Sequence, residues 1–172
     1  SLAVYKDGRE VVNVWQGNAT AELPWQQNTI SDVFSCTKGI ISVIAARLVD
    51  QGLLDLKERV SFYWPEFAAA GKAEITVATL LQHRSGLSAP RRDLTHEQAL
   101  DRDYVIAELA SQEPLWAPGT IHGYHALTFG HLVSKLIEAV TGLTVGQYLQ
   151  KNIAGPLAAD AHGHGRVVDR AE

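Results

Sequence analysis

The strongest constraint on this chain is one apolar run, Gly39 to Val49, opened by Ser35-Cys36-Thr37-Lys38. Ile40, Ile41, Val43, Ile44, Ala45, Ala46, Leu48 and Val49 are apolar nearly all the way round a helical wheel, which predicts a buried helix. The β-branched residues at 40, 41, 43 and 44 would also suit a strand, but the length of the run favours a helix from about Ser35 to Asp50. Gly52 stands at its C′ position. Residues three apart share a helix face, so Ser35 and Lys38 lie side by side in the first turn. A hydroxyl beside an amine is a nucleophile–base pair, and the free N–H groups of a first helical turn polarise a carbonyl oxygen. A Lys in the first turn of a buried helix also lacks an easy path to water.

The spacing alone decides little. Nine Ser and six Lys give about 0.3 Ser-x-x-Lys pairs by chance, and an N-cap Ser with a solvated Lys one turn on has the same pattern. Cys36 is the only cysteine, so there is no internal disulfide framework. It is a rival nucleophile next to Ser35, but no His or Asn pattern points to it, and it is expected to pack against the site.

The rest of the chain places this run in an α+β domain. Leu2 to Tyr5 and Val11 to Trp15 are β-prone and flank Lys6-Asp7-Gly8-Arg9, a hairpin signal. Gly17 to Asn28 is polar and irregular, and Leu53 to Phe67 reads as a connecting segment. Thr76 caps a short helix, Val77 to His83, closed by Ser85-Gly86. Thr95 and Gln98 form a capping box for a helix to about Ala110. Glu113 to Gly119 is a turn-rich approach to His122-Gly123-Tyr124. A helix follows from Ala126 to Val140, with Gly142 at C′, and Thr144 caps a last one to Ile153. Two strands followed by helices predict helices packed on an antiparallel sheet.

A length of 172 residues fits one domain or most of one. The net charge of −4 and the lack of a basic run argue against a nucleic-acid partner. The longest apolar run is interrupted by Ser42 and ended by Arg47 and Asp50, too short for a membrane span. The sequence has no Met, opens inside a strand-like run and ends without a terminating feature, so it is expected to be part of a longer reading frame. A targeting signal would lie upstream.

Four segments together resemble the serine β-lactamase/penicillin-binding-protein superfamily, in particular the β-lactamase-related hydrolases that include class C-like proteins and family VIII carboxylesterases. They are Phe34-Ser35-Cys36-Thr37-Lys38-Gly39; Leu48 to Leu56; Leu80-Leu81-Gln82-His83-Arg84-Ser85-Gly86-Leu87; and Trp116-Ala117-Pro118-Gly119 followed by Gly123-Tyr124. The resemblance runs from the hairpin to about Asp160 and implies that 1–172 is part of a β-lactamase/transpeptidase-like domain, with further strands outside it. It implies Ser35 as the acylated nucleophile and Lys38 as the residue that takes or relays its proton. Tyr124 would be a phenolate or proton shuttle, its pKa lowered by Lys38, and the Ser35 main-chain N–H one oxyanion donor.

Two departures matter. The second motif, often Tyr-x-Asn, reads Tyr124-His125-Ala126, which removes an amide used on amide substrates and tilts the expectation toward small esters. The third motif is not visible: Val140-Thr141-Gly142 lies at a helix end, and His162-Gly163-His164-Gly165 comes too soon after Tyr124. His125 borders Tyr124 and is a candidate to line the acyl pocket, while His83 is expected to be a structural hydrogen-bonder. His122, His125 and His131, or His162 and His164, form no zinc pattern, so no metal or cofactor is expected. No Gly-x-Ser-x-Gly occurs either. The leading expectation is a serine carboxylesterase. A β-lactamase or D,D-peptidase acting on amides, and a non-catalytic binding protein on the same fold, are the alternatives.

Overall fold

The computed structural model describes residues 1–157 and divides into two compact units, Ser1–Phe34 and the part from Ser35 onward. In the first unit, β1 (Leu2–Lys6) and β2 (Arg9–Val14) pair antiparallel. Asp7 and Gly8 at the turn have φ of 50° and 74°. Left-handed conformation at both central residues is the turn whose twist matches a two-residue hairpin. A bulge shifts the register between Val4 and Tyr5. The stretch after β2 is irregular, as its composition predicts, with one isolated bridge between Asn18 and Pro24.

The second unit is helical. A 3-10 turn, Phe34–Cys36, leads into α1 (Thr37–Asp50), so Ser35 stands in that turn rather than in the α-helix itself. Six further helices follow among the described residues: α2 (Val60–Tyr63), α3 (Val77–Leu81), α4 (His96–Leu100), α5 (Arg102–Ser111), α6 (Thr128–Thr141) and α7 (Val145–Leu149). Helix α6 packs against α1, α2, α3, α5 and α7 and buries Phe129, Leu132, Val133, Leu136 and Ile137. Each such side chain contributes roughly 1.5–3 kcal/mol on leaving water, so packing rather than helix propensity holds this unit together. Helix and sheet together give the expected α+β composition.

Several expectations need correcting. Helix α1 buries one face only, Ile41, Ile44, Ala45 and Leu48, while Ile40 and Val43 remain on the surface. Lys38 is accordingly half-buried rather than enclosed. The helix expected from Thr95 to Ala110 is two helices. Thr95 makes its capping box, but Asp101 leaves helical geometry (ψ 103°), and its carboxylate accepts the N–H groups of Asp103 and Tyr104 to start α5. The supposed connector contains α2 and a 3-10 turn, Pro65–Ala68, because Val60, Trp64 and Phe67 all turn into the core. Helix α3 ends at Leu81, two residues short of the expected His83, because Gln82 is its C-cap and His83 turns left-handed with φ of 58°. Helix α7 gives way to a π-helical turn at Gln150–Ala154. His162 and His164 lie outside the described residues.

One buried cation ties the 3-10 turn at Pro65–Ala68 to the end of α5. Lys72 is fully buried, and its Nζ donates to the Ala69 carbonyl at 2.7 Å and to the Gln112 carbonyl at the end of α5. Burial pushes its pKa below that of an exposed lysine, an effect opposed by Glu113. Lys72→Ala is expected to cost about 2–4 kcal/mol, through two carbonyls left without a donor and the cavity beside them. Lys72→Met keeps most of the volume and carries no charge to desolvate, so it should lose less. Urea unfolding of the full-length protein checks both. An unchanged Lys72→Ala midpoint would contradict this account of the buried ammonium.

Candidate active site

The site is assembled at the start of α1 from two separate stretches of chain, Ser35–Lys38 and Tyr124–Ala126. Ser35 enters on the 3-10 turn before α1, where main-chain N–H groups have no helical carbonyl to bond. Lys38, one turn on, donates from Nζ to Ser35 Oγ at 3.1 Å. The Tyr124 hydroxyl donates to the same Oγ at 2.8 Å, across 89 positions of sequence. Lys38 also donates to the Ala126 carbonyl at 2.6 Å, and its Nζ lies 5.0 Å from the centre of the Tyr124 ring. Ser35 and Tyr124 are open to solvent, so a substrate carbonyl can reach them. The Tyr124 pKa is lowered from its ordinary value, first by the hydrogen bond to Ser35, then by contact with Lys38 and its charge. A phenol shifted this way gives up its proton more readily to become a base.

Tyr124 is held by a platform that the two later motifs build between them. The Arg84 carbonyl accepts from Gly119 N–H at 2.9 Å, and the Gly86 carbonyl accepts from Leu115 N–H at 2.7 Å. Gly123 lies so close beneath the Trp116 ring that a Cβ there would sit 2.4 Å from it. At Gly86, where φ is 78°, a Cβ would sit 2.6 Å from the Trp116 carbonyl. Neither position accepts a side chain without moving the approach to Tyr124.

The sequence-predicted residues Ser35, Lys38 and Tyr124 therefore come together. His125 does not line an open pocket. It is 1 % exposed and both ring nitrogens are spent inside the fold, with Nδ1 on the Gly123 carbonyl and Nε2 on Ser85 Oγ and Leu87 N–H. Burial lowers its pKa, and its partners require the neutral ring. Cys36 is exposed rather than packed against the site. His122 is exposed, and His131 turns its Nδ1 to the Leu127 carbonyl in its own helix. Ala126 is the contribution that sequence reasoning missed. It acts through its carbonyl, so its side-chain type carries no signal.

Fold and site together define a chain that presents a serine hydroxyl between a cation and a phenol at a helix start. The chain belongs to the beta-lactamase family, whose model, described as Beta-lactamase, matches residues 1–166. It is similar to the Esterase/beta-lactamase LipL of Mycobacterium tuberculosis, with 41 % identity over 171 residues, covering 96 % of this chain and 39 % of that protein. Among solved structures it is similar to a family VIII carboxylesterase, with 42 % identity and a TM-score of 0.81 over 86 % of this chain and 41 % of that one. A penicillin-binding protein homologue from Caulobacter crescentus matches at 37 % identity and a TM-score of 0.77, over 80 % of this chain and 37 % of that one. The chain thus spans about two fifths of the length of the relatives it matches. These neighbours carry the β-lactamase/transpeptidase-like fold expected from the sequence.

Proposed function

We propose that the protein containing this chain is a serine hydrolase that acylates Ser35 and acts on small carboxylic esters, with 1–172 contributing part of the catalytic domain. The observation that carries this reading is the double contact on Ser35 Oγ, from Tyr124 at 2.8 Å and Lys38 at 3.1 Å. Ser35 Oγ attacks the ester carbonyl as its proton passes to the Tyr124 phenolate, whose charge Lys38 offsets. The Ser35 main-chain N–H stabilises the developing oxyanion. Collapse of the tetrahedral adduct breaks the bond to the alcohol, which leaves with the proton from Tyr124. Water then attacks the acyl-enzyme, gives its proton to Tyr124, and the acid departs as Ser35 Oγ recovers that proton. No cofactor enters this scheme.

The choice of esters rests on Ala126. This position offers a carbonyl already engaged by Lys38 and no side-chain amide for a substrate amide to meet. The competing reading, hydrolysis of β-lactams, draws on the mycobacterial relative, whose name joins esterase with beta-lactamase, and on the penicillin-binding protein homologue. Turnover of p-nitrophenyl acetate, butyrate and octanoate beside nitrocefin by the full-length protein separates the two. A short ester should exceed nitrocefin in kcat/KM by at least about 100-fold. The reverse order would establish the lactam reading. Turnover of neither by a folded protein would favour a binding role for the fold.

A further inference from the structure

The main-chain N–H groups of the residues just before and just after Tyr124 are both held by one residue, His83. Its carbonyl accepts the Gly123 N–H at 3.1 Å, and its ring Nδ1 accepts the His125 N–H at 3.1 Å. His83 can do both because its backbone is left-handed, with φ of 58°, a conformation uncommon outside glycine. Such local strain persists only where the surroundings impose it. Here the ring lies stacked on buried Phe129 of α6, 4.7 Å between centres, and 5.3 Å from the Tyr124 ring. His125 completes the clamp, because its ring is bonded to Gly123, Ser85 and Leu87.

We propose that His83 is a positioning residue for Tyr124, acting through the Nδ1 lone pair of a neutral imidazole that fixes the main chain on the far side of the phenol. The inference rests on the reading of Tyr124 as the proton carrier. A proton on Nδ1 would turn an acceptor into a donor facing the His125 N–H, and the clamp would open. The groups that face His83 are Lys38 from α1 and His122, His125 and Tyr124 from the approach to α6. Burial first, then the charges of His125, His122 and Lys38, hold its pKa down to about 4. The lone pair is therefore available throughout the neutral range.

The test compares four variants of the full-length protein: His83→Asn, His83→Leu, His83→Gly and, as reference, Tyr124→Phe. Asn carries an acceptor near the place of Nδ1 and tolerates the left-handed backbone. Leu matches Asn in size without the acceptor, and Gly matches it in backbone freedom without the acceptor. His83→Asn should keep kcat within about fivefold of wild type, whereas Leu and Gly should lose about 100-fold in kcat with KM within about threefold, the signature of a misplaced group. Should the Leu variant fail to melt cooperatively, the Asn and Gly pair decides. Equal losses for Asn, Leu and Gly would assign the effect to ring packing and overturn the proposal, and so would unchanged rates in Leu and Gly beside a crippled Tyr124→Phe. Wild-type turnover by Tyr124→Phe would instead remove the underlying reading of Tyr124.

Discussion

Lys38→Met in the full-length protein should lower kcat for a short ester by about 10³-fold, with KM little changed. Methionine matches the lysine stem and leaves the face of α1 around Ile41 and Ile44 as it is, so the fold should survive. What disappears is a cation with two fixed partners, Ser35 Oγ and the Ala126 carbonyl. Without it Ser35 loses one of the two groups that orient its hydroxyl, and a Tyr124 phenolate loses the charge that supports it. Both effects operate on the reacting atoms and not on substrate binding, which is why the loss falls on kcat. Single-turnover acylation followed beside a thermal melt checks this. A variant with wild-type acylation would remove Lys38 from the chemistry.

Tyr124→Phe should lower kcat about 10²–10⁴-fold, the range for removing a positioned acid–base group. The ring remains between Lys38 and His83, so only the hydroxyl is lost. Its pH dependence gives a second signature. Because activity needs the phenolate and the phenol pKa is lowered, kcat/KM of the wild type should rise with pH through a value below the ordinary 10. The Phe variant should lack that rise. The hydrogen bond between the Tyr124 oxygen and the Ser35 hydroxyl, which Ser35 donates once the phenol has lost its proton, is the largest cause of the lowering, so Ser35→Ala should move the phenol titration back upward, read from phenolate absorbance. A phenol that titrates identically with and without the Ser35 hydroxyl would contradict that assignment.

The local signals in the sequence carried far because they act within a few residues. Asp7-Gly8 sets its own turn, Thr76, Thr95 and Thr144 accept the N–H groups of their own helices, and Gly142 ends α6 at φ of 69°. The pairing of Ser35 with Lys38 is a helical-spacing effect of the same kind. Tyr124 was accessible only through resemblance, since no periodicity links positions 89 apart. The break at Asp101 was missed because an N-cap inside a helical pattern looks like one polar residue among many. The breadth of the apolar pattern in α1 suggested burial all round, but it does not say which neighbours cover each face. The clamp on Tyr124 was hidden because it runs through main-chain groups and through a histidine ring whose role depends on a left-handed backbone.

Intact-mass labelling of the full-length protein with a fluorophosphonate, beside its Ser35→Ala variant, shows whether Ser35 is the activated nucleophile. A single adduct is expected on the wild-type protein and none on the variant. An adduct that survives in Ser35→Ala, or a folded wild-type protein that takes none, would contradict Ser35 as the activated nucleophile.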